Sequence, residues 1–418
     1  MKVLLFANSP LVPRTKNGKN YNNSGWIKSL QEEMQKVADV KIGVCCISSC
    51  QEKLITEEGV IYYKVKLIGK SLKEKVIVGF RPSIDKYEII RCERYVKEFK
   101  KVVDDFNPDI IHIFGSEFYY GLITSYITIP IVLHLQGILS ACSYAYFPPS
   151  VSYWQLMWKD RNLKQLYSNI QQYAYWKRCC KREKRILSTV LHVIGRTAWD
   201  KQAMQILNPK ARYHYGGEIL RPEFYEVSER RIPDKIVLTT TISNPPYKGF
   251  DLVLKIAYIL KCEVGLEFEW NVFGNVSPKF WERHTGINCK DVNLYVRGVA
   301  SAYQLREALL KSTLYFHPSY IENSPNSVGE AQILGVPVVA TNVGGTSSMV
   351  EHGKTGYLFP ATDPYMGAYF VQDLISNIDK NIQMGIYSKK VALERHKKET
   401  IIEELLDTYK TIIDEHNC

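Results

Sequence analysis

The chain has no Cys-x-x-Cys pair and no cysteine–histidine spacing of the kind that holds zinc, although it contains ten cysteines. Only Cys45-Cys46 and Cys179-Cys180 are adjacent, and such scattered thiols read most simply as belonging to a reducing, cytosolic setting. No Gly-x-Gly-x-x-Gly occurs, which weakens any reading as a dinucleotide oxidoreductase. Gly69-Lys70-Ser71 and Gly353-Lys354-Thr355 end like a phosphate loop, but Lys64 and Ser348 stand where that motif needs its first glycine. No apolar run is long enough to cross a membrane. In the most apolar region, Gly121, Pro130, His134, Gln136, Gly137 and Pro148-Pro149 interrupt every candidate. The amino-terminal run covers only Val3 to Ala7 before Asn8, with no small-residue cleavage site after it. A first β-strand is expected there rather than a signal peptide.

What is present is an ordinary globular composition, 45% hydrophobic and 23% charged over 418 residues, a length that favours two domains. The net charge of +11 is unevenly placed. Met1 to Pro222 carries 34 basic and 19 acidic residues, and the remainder carries 20 and 24. The two halves are therefore expected to face different partners. An anionic membrane surface or a phosphate-bearing acceptor suits the basic half, and a solvated surface with no partner is the other reading. From Phe118 to Trp158 there is no Asp, Glu, Lys or Arg; Lys159 to Arg185 then carries nine basic and two acidic residues. Tyr153, Trp154, Trp158, Tyr167, Tyr173, Tyr175 and Trp176 are interleaved, as at an interfacial membrane contact. A long helix with core aromatics and solvated basic residues is the alternative.

Apolar periodicity predicts strands at 3–7, 40–46, 60–65, 110–114 and 131–135, with helices over 24–38 and 87–106. The second half repeats this alternation, with strands at 236–241, 268–273, 293–297, 314–317 and 338–340. Helices are expected over 249–261 and 302–311, and an amphipathic one over 400–413. Strands alternating with helices imply βαβ units, hence a two-lobed α/β protein with parallel sheets, joined near Arg221–Lys235.

One segment carries more chemistry than the rest: HPSYIENSPNSVGEAQILGVPVVATNVGG, His317 to Gly345. A strand ends at His317, a polar loop carries Glu322, and a helix begins near Asn326–Ser327 with Glu330 in its first turns. A helix start offers N–H groups and partial positive charge to a diphosphate. A carboxylate slightly inside such a helix can accept both hydrogen bonds of a ribose diol. A second carboxylate in the preceding loop sits where a sugar's hydroxyls would lie, and Gly344-Gly345 lets a facing backbone come close.

This segment, with Glu322 and Glu330 eight positions apart, resembles the E-x7-E region of the family 4 retaining glycosyltransferases of GT-B fold. The resemblance is specific from Ile236 to Phe359 and loose before Leu191. It implies two Rossmann-like parallel-sheet lobes facing a central cleft. Residues 1–222, completed by a C-terminal helix at 400–418, would form the acceptor side, and 223–399 the nucleotide-sugar side. By the likeness Glu330 would hold the ribose and Glu322 the transferred sugar, while Asn323, Ser324, Pro325, Asn326 and Ser327 would line the phosphates. The stretch TISNPPYKGFDLVLKIA resembles the family's strand–loop–Lys-Gly–helix element, so Lys248 would neutralise the leaving diphosphate. VFGN, with Gly274, resembles its next strand and turn, and YVRGVASAYQLREAL would bring Arg297 and Gly298 near the nucleobase. NPDIIHIFG, IPIVLHLQG and the loop containing Gly25 resemble acceptor-side strand ends and the glycine loop, and HVIGRTAWDKQA a later strand and helix.

Two positions depart from the family pattern. Ser243 stands where an Arg is usual, five residues before the Lys-Gly lysine, and Gln136-Gly137 replaces a His-Gly pair, with His134 two residues earlier. The resemblance implies transfer of a hexose-type sugar, with retention, from a UDP-, GDP- or ADP-sugar to a glycan or lipid-pyrophosphate-linked acceptor. It would serve surface polysaccharide assembly in the cytoplasm, at the inner face of the membrane. No cofactor is expected, and no metal, since the sequence has no Asp-x-Asp pair. Nucleic acid is not an expected partner. Two alternatives stand beside this. A GT-B-like sugar-nucleotide epimerase would need acid/base residues on both sugar faces, and an inactive sugar-nucleotide-binding scaffold is kept open by Ser243.

Overall fold

The computed structural model describes residues 1–7, 25–69, 86–227 and 229–417. The expected helix start at Ser24 and most of the loop before Gly25 lie outside these residues. The chain divides into two compact units. The first comprises Met1–Ser143, Arg161–Ile219 and Lys398–Cys418; the second comprises Tyr144–Asp160 and Leu220–Lys397.

In the first unit the strands are β1 (Lys2–Phe6), β2 (Lys41–Ser48), β3 (Glu52–Ile55), β4 (Ile61–Lys66), β5 (Ile110–Phe114), β6 (Ile131–His134), β7 (His192–Gly195) and β8 (Arg212–Tyr215). They form one sheet in the order β3-β4-β2-β1-β5-β6-β7-β8, parallel throughout except for the β3–β4 pair. The central strands are apolar on both faces, as a parallel sheet covered on both sides requires. On one face Leu4, Phe6, Ile111, Ile113 and Leu133 pack with Tyr95, Phe99 and Val103 of the helix Lys86–Phe106. The opposite face carries His112, Phe114 and His134, which meet Trp26 of the helix Gly25–Met34 and Tyr409 of the helix Lys398–Asn417. That last helix contains the amphipathic 400–413 segment and is tied to the Gly25–Met34 helix by Lys398 Nζ, 3.0 Å from Glu33 Oε1. Lys36 and Lys398 hold the Glu33 carboxyl below its ordinary range, against the upward push of burial.

The second unit contains β9 (Val237–Thr241), β10 (Glu269–Phe273), β11 (Leu294–Gly298), β12 (Leu314–His317), β13 (Val338–Thr341) and β14 (Gly356–Phe359). They make an all-parallel sheet in the order β11-β10-β9-β12-β13-β14. One face packs against the helices Ala302–Leu310 and Asn326–Ile333 through Leu305, Leu309, Tyr315, Val328 and Ala331. Trp270 of β10 is fully buried, and its Nε1–H donates to Thr240 Oγ1 at 3.0 Å, so its large apolar surface is gained without orphaning the indole donor. The helix expected over 249–261 is regular only over Phe250–Tyr258 and ends in a wider π turn, Ile259–Glu263.

The uncharged stretch beginning at Phe118 does not stay in one unit. Its end, within Tyr144–Asp160, groups with the second: the Tyr146 ring lies 6.4 Å from Tyr247, and Arg283 Nη2 donates to Lys159 O at 2.5 Å. The basic segment after it forms the helix Leu163–Leu187. Trp154, Trp158, Leu163, Tyr167 and Tyr175 are exposed, whereas Arg178 and Arg182 are buried. Among the described residues no helix is long and apolar enough to cross a membrane.

Candidate active site

The order of the second sheet reverses between β9 and β12: the chain builds outward from β9 to β11, then returns to place β12 on the other side. In open α/β sheets such a switch point leaves a crevice at the carboxyl ends of the two strands. Lys248 follows β9, Glu322 follows β12, and Gly344 follows β13. Backbone contacts clip the three loops together. Tyr320 N–H donates to Tyr247 O at 2.8 Å, and Gly345 N–H to Glu322 O at 3.0 Å. Gly249 (φ +76°) and Gly344 (φ +52°) make these approaches possible. A Cβ added at Gly249 would stand 2.0 Å from Pro318 O, and one at Gly344 only 1.9 Å from Glu322 O. Neither position tolerates a side chain without moving the opposite loop.

The clip brings the Lys248 ammonium to 2.5 Å from Glu322 Oε2. Ser319 Oγ donates to the same oxygen at 3.2 Å, and His317 Nε2 lies 3.5 Å away, at the long limit of a hydrogen bond. Burial raises the Glu322 carboxyl, but the Lys248 charge and the His317 contact outweigh it and hold the group well below the usual carboxylate range. The result is a fixed carboxylate and a fixed ammonium at the crevice mouth.

Behind them the helix Asn326–Ile333 starts at Pro325, and its ladder opens with Val328 N–H donating to Pro325 O at 2.9 Å. Asn323 is buried in the approach to this helix, Ser324 Oγ lies 3.4 Å from Met349 Sδ, and Ser327 bonds the Tyr315 hydroxyl. Glu330, five residues into the helix, is 4% exposed and is held at two points by Arg221. Arg221 Nε donates to Oε1 at 2.7 Å and Nη2 to Oε2 at 2.8 Å. Burial raises the Glu330 carboxyl; Arg221 opposes that and Glu223 adds to it. Arg221 is a residue that sequence reasoning passed over as part of a linker.

Gly274 (φ +121°) sits at the turn after β10, where a Cβ would stand 2.0 Å from Ile242 O. Its N–H donates to Gly298 O at 2.7 Å, which ties the ends of β9, β10 and β11 together. Gly298 (φ +75°) has open space beside it. The Arg297 guanidinium is engaged along the outer face of β10, by Asn271 Oδ1 at 2.6 Å and Glu269 Oε1 at 2.9 Å, and lies over the Tyr295 ring. The structure thus gathers Lys248, Glu322, His317 and Ser319 at one point, and leaves Arg297 with partners of its own.

The first unit holds the remaining candidates at the carboxyl ends of its strands. His134, at the end of β6, is 1% exposed; its Nδ1 is 3.2 Å from His112 Nε2, and His112 Nδ1 is 2.5 Å from the Tyr409 hydroxyl. Among the described residues the buried Tyr409 hydroxyl has His112 as its one partner, so its proton must be donated there. It follows that His112 carries its proton on Nε2 and donates to His134 Nδ1, leaving His134 with an Nε2–H that has no partner among the described residues. Burial pushes the His112 imidazole down to about 3 and lowers His134 as well, aided by His112 and Arg196. His134 is therefore a neutral donor and not a base.

Gln136 O accepts from Arg196 Nη2 at 3.2 Å, and Arg196 is ion-paired with buried Glu218 and lies over the Trp26 ring. The Gly137 loop is pinned from behind by Glu183, a fully buried carboxylate. It accepts from Ser116 Oγ (2.6 Å), Leu139 N (2.9 Å), Ser140 N (2.7 Å) and Ser140 Oγ (2.8 Å). Gly25 opens its helix at φ +50°, and among the described residues nothing stands within 4 Å of where a Cβ would be. Neither Glu183 nor Tyr409 carries a local sequence signal, since each acts through partners more than forty residues away.

The fold is that of the GT-B glycosyltransferases. It aligns with sucrose-phosphate synthase from Thermosynechococcus elongatus over 99% of both chains, with TM-score 0.71 and 15% identity. It aligns with Anabaena HepE in complex with UDP and glucose over 98% of this chain and 100% of the other, with TM-score 0.63 and 16% identity. WaaG, a glycosyltransferase involved in lipopolysaccharide biosynthesis, gives TM-score 0.64 at 12% identity over 98% of this chain and 99% of that one. Residues 233–377, most of the second unit, match the family described as glycosyl transferases group 1. Curated relatives agree over short stretches. D-inositol 3-phosphate glycosyltransferase of Corynebacterium urealyticum is 36% identical over 83 residues, 20% of this chain and 19% of that protein. The corresponding protein of Paenarthrobacter aurescens is 40% identical over 143 residues, 33% and 35% of the two chains. The chain thus matches about a fifth to a third of the length of these relatives.

Proposed function

We propose that this chain is a retaining glycosyltransferase that moves a hexose-type sugar from a nucleoside-diphosphate donor to a glycan or lipid-linked sugar acceptor in polysaccharide or glycoconjugate biosynthesis. The observation that carries the reading is the Lys248–Glu322 pair, 2.5 Å apart at the switch point of a group 1 domain. In the proposed mechanism the Lys248 ammonium and the amides of the Pro325–Ser327 helix start meet the charge that grows on the leaving diphosphate. Fixed groups of this kind supply a large share of catalysis when they need no reorganisation. Glu322 orients the donor sugar's hydroxyls, Glu330 accepts from the ribose, and the departing phosphate takes the acceptor's proton. No metal is needed in this scheme, because Lys248 and the helix supply the positive charge. Support for a UDP-sugar donor comes from the HepE complex with UDP and glucose. The exposed Leu163, Tyr167 and Tyr175, set among basic residues on the helix Leu163–Leu187, favour a lipid-linked acceptor at an anionic membrane surface.

Retention is tested by nuclear magnetic resonance of the anomeric proton in the first product formed. The donor's configuration is expected to persist, and inversion would sink the mechanism. A covalent glycosyl–enzyme species on Glu322 would contradict the role given to that residue. Exposed Ser243, where an Arg is usual, favours a second reading as a nucleotide-sugar-binding scaffold without turnover. Donor binding without product over all acceptors would move that reading to the front.

A further inference from the structure

We propose that Arg221 is a positioning residue for the donor's ribose, holding the Glu330 carboxylate charged and in one orientation through a two-point ion pair. This inference rests on the donor-site reading above. A carboxylate has about four acceptor sites. The contacts from Arg221 Nε and Nη2, at 2.7 and 2.8 Å, occupy one on each oxygen and leave acceptor capacity on both. Arg221 is itself held in place. Its guanidinium lies 4.9 Å from the ring centroid of Phe224, which is fully buried. The turn that carries both is anchored by Tyr225, whose hydroxyl donates to His396 O at 2.8 Å and accepts from Leu220 N at 3.1 Å.

The surroundings show why the carboxylate needs this partner. Glu223 faces Glu330 from the same turn as Arg221 and Tyr315 faces it from β12, and neither supplies positive charge. On the helix Ile378–Arg395, Arg395 is turned to Gln332 Oε1 (2.9 Å) and Met349 O (2.9 Å). His396, just beyond, approaches Gly329 on the neighbouring turn. Among the described residues Arg221 is thus the cation that compensates a carboxylate 4% exposed. Without it, burial would favour the protonated acid, which has lost acceptor capacity for a vicinal diol. Arg221 also lies next to the first residue of the second unit's main segment, Leu220–Lys397.

The test is a calorimetric titration of UDP, GDP and ADP into the wild type, Arg221→Met, Arg221→Lys and the double variant Arg221→Met/Glu330→Gln, between pH 6 and pH 9. Affinities are read as the ratio to wild type at each pH, which cancels the titration of the diphosphate itself. Arg221→Met is expected to bind about tenfold more weakly, or worse, at pH 6, and the deficit is expected to narrow as pH rises and favours the ionised carboxylate. Arg221→Lys, which restores charge without two-point geometry, is expected to fall between the two. The ratio of the double variant to wild type should not depend on pH. Three results overturn the inference while leaving the donor site intact: Arg221→Met binding as wild type, binding more tightly because the guanidinium competes with the diol, or a loss equal at every pH. If the wild type binds none of the three nucleotides, the donor-site reading fails and this inference falls with it. Melting curves on each variant separate a binding loss from an unfolded protein, and Arg221→Lys carries the test if Arg221→Met does not fold.

Discussion

Replacing Lys248 with Met should cost stability by an amount that the geometry bounds. Breaking a fully buried ion pair from one side costs about 3–5 kcal/mol, and losing an exposed one about 0–1 kcal/mol. Lys248 and Glu322 have side chains 22% and 16% exposed, near the buried end, so about 2–3 kcal/mol is expected. After the substitution Glu322 keeps, among the described residues, only Ser319 at 3.2 Å and His317 at 3.5 Å. Adding Glu322→Gln removes the stranded charge, so the double variant should regain about 1–2 kcal/mol relative to additivity. The pH dependence has a definite sign. In the wild type the Glu322 carboxyl is depressed below its ordinary 4.5, so its contribution is full above that value and is lost as pH falls through the folded-state value. In Lys248→Met burial dominates and the folded carboxyl rises, so the deficit should shrink as pH falls toward 4.5. Urea denaturation followed by tryptophan fluorescence, at pH 7.5 and pH 5, reads both effects. Equal stability of Lys248→Met and wild type, or strict additivity in the cycle, would refute the picture of a coupled pair at the switch point.

Gly344→Ala adds a Cβ 1.9 Å from Glu322 O at a residue with φ +52°. The left-handed conformation alone costs about 1–2 kcal/mol for alanine. The displaced loop should reduce nucleotide affinity more than it lowers the melting temperature, and an unaltered affinity would show that the clip does not set the site. For the histidine chain, nitrogen-15 spectra should show His112 and His134 both protonated on Nε2. Tyr409→Phe should disturb both signals and destabilise the protein by about 1–3 kcal/mol, having left His112 Nδ1 unpartnered. Because both imidazoles are lowered in the folded state, only the unfolded chain takes up their protons below about pH 6.5. Stability should accordingly fall on acidification by up to about 1.4 kcal/mol per pH unit for each histidine, and His112→Gln should flatten that slope.

What could be read from the sequence follows from the range over which each signal acts. Strands such as Ile110–Phe114 and Leu314–His317 are continuous apolar runs bounded by turn residues, and their limits agree with the structure. The Glu322–Glu330 spacing was legible because one strand, one loop and one helix carry it. β8, reading RYHY, is partly exposed and has no apolar period, and β3 is a short edge strand, so neither announces itself. Arg221 looked like linker because its meaning depends on Glu330, 109 residues away. The allegiance of Tyr144–Asp160 was hidden for a related reason: up to Trp158 the stretch is uncharged and rich in aromatics, and nothing local marks where it joins the second unit. Ser319 and His317 lay inside the recognised segment, yet their convergence on Glu322 Oε2 needs the loop's actual turn.

The central claim is that a nucleoside-diphosphate sugar binds at Lys248, Glu322 and Glu330, and melting curves with UDP-, GDP- and ADP-sugars test it most directly. A ligand that binds only the folded state must raise the melting temperature, by an amount set by its concentration relative to Kd. The account expects a rise from one nucleotide class, unchanged by EDTA and abolished by Glu330→Ala. No rise from any of them at millimolar concentration, or a rise that Glu330→Ala leaves intact, would contradict it.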